Sequence, residues 1–147
     1  MKTIEVVVGV ICSKGPDNQD WVLLTKRPKG KHLEGLWEFP GGKVEPEEAL
    51  DIALMRELKE EINFKEDEVE LIEPLTYIEH HYEEVSVALQ CFYIRSSREV
   101  FEGSMIMSEN QIGKWVKKEA LANEPMPPAN TKIVEALKRK QKRPHPK

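Results

Sequence analysis

Apolar and polar positions along the 147-residue chain follow two periods. From Thr3 to Cys12 most positions are apolar and many are β-branched, which predicts a buried strand. The turn cluster Ser13 to Asn18 follows, and Trp21 to Thr25 reads as the returning strand of a hairpin. Lys26 to Gly35 is a basic loop with Gly and Pro, and a short strand, Leu36 to Phe39, runs into Pro40-Gly41-Gly42. The period then changes. Leu50, Leu54, Leu58 and Ile62 recur every fourth residue, predicting a helix over Pro46–Ile62 with Pro46 at its first position and Asn63 as a left-handed end. Val69–Glu79 and Val85–Ser96 read as two strands joined by the polar stretch His80 to Glu84, with both histidines in the turn. Phe101 to Gly113 is expected to be irregular, Lys114 to Val116 a short strand and Pro125 to Pro128 a rigid loop. A closing helix from Ile133 to Arg139 or beyond turns Ile133, Ala136 and Leu137 inward. The elements predict a mixed α/β fold in one domain over residues 1–141, followed by a basic tail, 142–147.

Charge narrows the function classes. The formal net charge is −4, but Lys138 to Lys147 carries six basic residues and no acid, so the remainder stands near −10. An acidic body argues against a nucleic-acid surface as the main function, and no stable nucleic-acid partner is expected. Such a body suits an anionic ligand only where metal cations mediate. The tail reads as a solvated helix end, its cations favoured by the helix dipole. The longest apolar run, Val6 to Cys12, is far short of a membrane span, and no cleavage pattern follows it. Cys12 and Cys91, each inside a strand-like run, read as buried reduced thiols, so a cytoplasmic protein is expected.

The most unusual local feature is Arg56-Glu57-Leu58-Lys59-Glu60-Glu61. Glu57, Glu60 and Glu61 stand at i, i+3 and i+4, on one side of the helix and near its negative end. Like charges so placed repel one another. Either Arg56 and Lys59 neutralise a glutamate-rich surface helix, or a hard cation such as Mg2+ or Mn2+ relieves the repulsion. Gly41-Gly42, just ahead, permits close approach of another group to the backbone.

Gly42, Glu48, Arg56-Glu57-Leu58 and Glu60-Glu61, at these spacings, resemble the box of the Nudix family, with Asn63 replacing the pattern's late glycine. The resemblance implies a three-layer α/β/α sandwich with a mixed sheet. It also implies hydrolysis of a nucleoside polyphosphate assisted by Mg2+, or Mn2+; a monomer or homodimer with no membrane partner is expected. By that likeness Glu57, Glu60, Glu61 and the Gly41 carbonyl hold metal, Glu57 is favoured as general base, and Arg56 braces Glu48. The Leu36–Glu45 lead-in is similar to that of the MutT-like subgroup, which sanitises oxidised guanine nucleotides. The same likeness assigns nucleotide contacts to Arg27, His32, Glu38 and Phe39, an auxiliary acid to Glu109, and base reading to Asn130. Two plainer roles stand beside these: Phe39 as core packing, and Asn130 as an N-cap. The lead-in with Trp37 also resembles Nudix enzymes acting on CTP and its methylated forms. A non-catalytic module that binds an oxidised base is the third reading.

Overall fold

In the computed structural model, which describes residues 2–30, 33–108 and 111–142, one mixed sheet lies between two helices. The strands are β1 (Lys2–Lys14), β2 (Asp20–Lys26), β3 (Trp37–Glu38), β4 (Gly41–Lys43), β5 (Val69–His81), β6 (Val85–Ser96), β7 (Ser104–Ser108) and β8 (Gln111–Lys117). Helix α1 spans Leu50–Ile62 and α2 spans Pro128–Lys142. The main order is β5-β6-β1-β2-β8-β7; β1 and β6 are parallel and the other pairs antiparallel.

β1 reads as a continuous apolar run because both of its faces are covered. Val7 and Ile11 pack with Ala53, Leu54, Leu58 and Ile62 beneath α1. Val8, Val10 and Cys12 pack with Ala129, Ile133, Val134 and Leu137 beneath α2. The three-layer α/β/α expectation is met, and the inward positions predicted for both helices are buried, Leu50 only partly. Both cysteines are buried and unpaired, and burial pushes the Cys12 and Cys91 thiols up to about 11 and about 12.

One edge of β1 pairs with β6 along most of its length, while the other edge is shared. Its Cys12 end pairs with β2 and its Val6–Val8 stretch pairs with β4. β1 and β2 therefore diverge like a fork. The segment 37–43 fills the gap, β3 bonded to β2 and β4 to β1, with Gly9 N–H donating to the Pro40 carbonyl at 2.9 Å between them.

Four expectations are corrected. α1 starts at Leu50, not at Pro46, because Glu45–Glu48 closes a reverse turn (Glu48 N–H to Glu45 O, 3.0 Å) with Pro46 at one corner and Glu47, φ +63°, at the next. Residues 104–108 and 111–113, expected to be irregular, are strand in the paired β7 and β8, and the outer strand leaves Met105 and Ile106 exposed and so lacks alternation. His80 and His81 end β5, and the turn is only Tyr82 to Val85. α2 begins at Pro128, five residues before its first apolar stripe residue, with proline suited to a first turn that has no N–H partner to offer.

The end of α1 is as expected. Asn63 is left-handed, φ 53°, and its N–H bonds back to the Lys59 carbonyl at 3.0 Å. Arg98 adds what the sequence did not suggest: its guanidinium caps the carbonyls of Ile62 and Asn63 at 3.0 and 2.9 Å while pairing with Glu68. Leu58 joins α1 to the sheet and is fully buried. Leu58→Ala should therefore lower stability by about 2–5 kcal/mol, read as a reduced urea midpoint with unchanged slope. A loss below about 1 kcal/mol would show that α1 is not packed as described.

Candidate active site

The site grows from the fork. Across an antiparallel ladder polar groups alternate in direction, and the bonds made at Gly9–Pro40 and Glu5–Val44 leave those of Gly41 and Lys43 turned away from β1. The Gly41 N–H there donates to Glu61 Oε2 at 3.0 Å, with its carbonyl on the same side, and Thr25 Oγ1 of β2 donates to Glu61 Oε1 at 3.1 Å. Glu61 thus bridges β4, which fills the fork, and its β2 arm. Burial, opposed by these two donors and reinforced by the charges of Glu38 and Glu57, raises its carboxyl to about 7.

Gly41 is required by backbone contact, and Gly42 leaves room for the Glu57 carboxylate. A Cβ on Gly41 would lie 2.1 Å from the Val7 carbonyl oxygen, and one on Gly42 would lie 2.1 Å from Glu57 Oε2. Glu57 therefore rests against bare backbone. Arg56 holds the other end of this cluster. It grips Glu48 through Nε and Nη2 at 2.7 and 2.8 Å, reaches Glu57 Oε1 at 2.8 Å, and donates to the Lys43 carbonyl at 3.0 Å. This bidentate grip keeps Glu48 ionised, its carboxyl held down at about 2. Glu60, largely exposed, stands 3.6 Å from the same guanidinium.

Glu57, Glu60, Glu61 and the Gly41 carbonyl supply only oxygen donors, which suit a hard divalent cation. Among the described residues no three carboxylates converge into a ready metal-sized group. Arg56 draws Glu57 and Glu60 to one side, and Thr25 and Gly41 hold Glu61 on the other. The fit is nevertheless good: a desolvated carboxylate at Glu61 faces Glu57 and Glu38, and its hydrogen-bond partners among the described residues are neutral donors.

On the α2 side of β4 opens a cavity of about 580 Å³, floored by Val6, Val8 and Leu89 and reaching Gly41 and Gly42. Arg27, Glu38, Phe39 and Asn130 line it, so four of the nucleotide-contact candidates meet in one place. Arg27 and Glu38 form an ion pair at 3.2 Å, and burial raises the Glu38 carboxyl despite it. Phe39 is 3% exposed and belongs to the α2-side core, so its ring packs there while bordering the cavity. Asn130 is no N-cap. It is the third residue of α2, nearly buried, and its Oδ1 accepts the Phe39 N–H at 3.0 Å, which fixes the orientation of the amide. His32 and Glu109 lie outside the described residues.

A model of the NUDIX domain matches residues 7–136. The chain belongs to the Nudix family. CTP pyrophosphohydrolase of Escherichia coli (strain K12) is 35% identical over 140 residues, 93% of each chain. The 8-oxo-dGTP diphosphatase of the same organism is 31% identical over 139 residues, 95% of this chain and 99% of that one. The solution structure of the E. coli ORF135 protein matches with a TM-score of 0.71 and 30% identity, covering 99% of this chain and 96% of that chain.

Several contacts of this Nudix site carried little or no signal in the sequence. Thr25 sits in an ordinary strand, and nothing local marks its hydroxyl as the partner of Glu61. Tyr82 lies in the cavity wall, where only an aromatic residue within a polar turn hinted at it. Trp37 donates its N–H to the Pro125 carbonyl at 2.9 Å, and Lys114 covers its ring at 4.2 Å while pairing with Glu124. That network holds the lead-in against the loop before α2. Gly42→Ala should displace Glu57 by more than an ångström and lower kcat by about 100-fold or more with the fold retained. Circular dichroism with steady-state kinetics checks this, and full activity in the variant would contradict the contact described.

Proposed function

We propose that this Nudix protein is a divalent-metal-dependent nucleoside triphosphate pyrophosphohydrolase whose favoured substrate is an oxidised guanine nucleotide, 8-oxo-dGTP, converted to 8-oxo-dGMP and pyrophosphate. Glu57, Glu60, Glu61 and the Gly41 carbonyl would hold the metal, Mg2+ or Mn2+, which would offset phosphate charge and make water a better nucleophile. The water oxygen bonds to phosphorus, the P–O anhydride bond breaks, and the proton passes to a carboxylate of this group. Arg56 keeps Glu57 and Glu48 in place through the bonds described. Glu61 lies at the seam between the carboxylate face and the cavity, so the polyphosphate runs over Gly41 and Gly42 from base to carboxylates. The enzyme is read as cytoplasmic, a setting in which its two buried, unpaired thiols stay reduced.

The observation that carries the base assignment is the pinned amide of Asn130. With Oδ1 toward Phe39, its NH2 is the donor offered to the cavity, and Oδ1 keeps a second lone pair. In 8-oxoguanine O6 is an acceptor beside the N7–H donor, so one amide satisfies both. Guanine has an acceptor at N7, and two acceptors then face each other. CTP is the second reading, favoured by the 35% identical relative. Cytosine N3 and N4–H2 also form an adjacent acceptor and donor, so one amide suits either base and the sugar's position decides the edge.

Asn130→Ala should reduce the ratio of kcat/KM for 8-oxo-dGTP over dGTP by at least about tenfold, since a buried partner is lost. An unchanged ratio would remove Asn130 from base reading. Glu61→Gln should lower magnesium-dependent kcat by about 100-fold or more, and chelation with EDTA should abolish turnover of the native enzyme. Undiminished pyrophosphate release in Glu61→Gln would overturn the role given to this carboxylate.

A further inference from the structure

The cavity has a wall that the reading above does not use. Tyr82 to Val85 is a tight hairpin turn closed by Tyr82 N–H to Val85 O at 2.8 Å, and Glu83 and Glu84 occupy its two corners. Both line the cavity opposite the fork. The turn is fixed, not loose. The backbone of Ala129 hydrogen-bonds the Tyr82 phenol, the His80 and Tyr82 rings lie 4.6 Å apart, and Lys132 approaches His80 at 3.3 Å. Since Ala129 adjoins Asn130, the hairpin tip and the pinned amide are neighbouring parts of one pocket wall.

Glu83 and Glu84 are exposed, and neither makes an ion pair or hydrogen bond among the described residues. Turn chemistry does not call for them, because two-residue hairpin corners favour Gly, Asn and Asp. Two adjacent carboxylates on a pocket for a polyanion also repel the ligand unless they meet its uncharged, donor-rich end. Asn130 supplies the independent mark of that end: a side chain more than nine-tenths buried whose amide faces the same cavity.

Resting on the base reading at Asn130, we infer that the Glu83–Glu84 turn is a specificity edge that accepts hydrogen bonds from N1–H and the N2 amine of a guanine-type base. A carboxylate is acceptor-only and can take two parallel N–H donors, in the charge-assisted geometry that is about twice as strong as a neutral pair. Guanine and 8-oxoguanine both present that pair beside O6. Cytosine presents an acceptor at N3 next to N4–H2, and hypoxanthine has N1–H but no N2 amine, so neither satisfies the turn fully. Asn130 then reads oxidation on one edge of the ring, and the hairpin reads guanine on the adjoining edge.

The test compares guanine with hypoxanthine. Steady-state kcat/KM is measured for dGTP and dITP with magnesium, in the native enzyme and in the Glu83→Gln/Glu84→Gln double variant. Equilibrium dissociation constants for dGMP and dIMP give the same ratio without turnover. The inference predicts a native preference for guanine of about tenfold or more, carried in KM, that falls toward one in the double variant. A native ratio near one, or a preference that survives both substitutions, overturns it. The ratio of 8-oxo-dGTP to dGTP is read separately. Its absence defeats the reading of Asn130, while the guanine-to-hypoxanthine ratio still decides the hairpin.

Discussion

The structure depends on the divergence of β1 from β2 and on the bare backbone that fills the gap. A sheet that splits leaves polar groups to be matched, and the segment 37–43 matches them by bonding to β2 with one end and to β1 with the other. At Gly41 the wedge lies so close to β1 that a side chain has no room, and at Gly42 the space a side chain would take belongs to Glu57. The strand Gly41–Lys43 therefore forms part of the sheet, supports the carboxylates of α1 on one side and borders the nucleotide-sized cavity on the other. Chemistry and recognition lie back to back across one strand.

Electrostatics works in the same direction. Arg56 engages Glu48 and Glu57 directly and leaves Glu61 to neutral donors. The cluster is thus braced at its exposed end and held short of cations at its buried end. This asymmetry fits an acidic protein that handles a polyanion: attraction comes from bound divalent ions, and the protein supplies oxygen ligands and rigid placement. In the proposed reading, fixing the Asn130 amide through a backbone N–H extends the same device to the base, since an amide that cannot rotate offers its donor and acceptor in one order only.

Much of this was legible along the chain. The fourfold spacing of Leu50, Leu54, Leu58 and Ile62 gave the helix, Asn63 its end, and the 56–61 charges the candidate metal ligands, because each depends on residues close in sequence. The start of that helix was not, since Pro46 and Glu47 serve a turn in which Glu47 takes a positive φ that its residue type does not announce. The β7–β8 hairpin escaped because Met105 and Ile106 sit on an exposed edge, where hydrophobicity does not report burial. The convergence of Arg27, Glu38 and Asn130 followed from likeness. The bond from Phe39 to Asn130, across 91 positions, and the hairpin beside it are products of the fold alone.

The most direct test of the account is pyrophosphate release by the native protein with magnesium, compared across 8-oxo-dGTP, dGTP, CTP and ADP-ribose. The account predicts hydrolysis of nucleoside triphosphates with kcat/KM for 8-oxo-dGTP about 100-fold or more above dGTP. Failure to hydrolyse any of them, with the metal present and the protein folded, would contradict it.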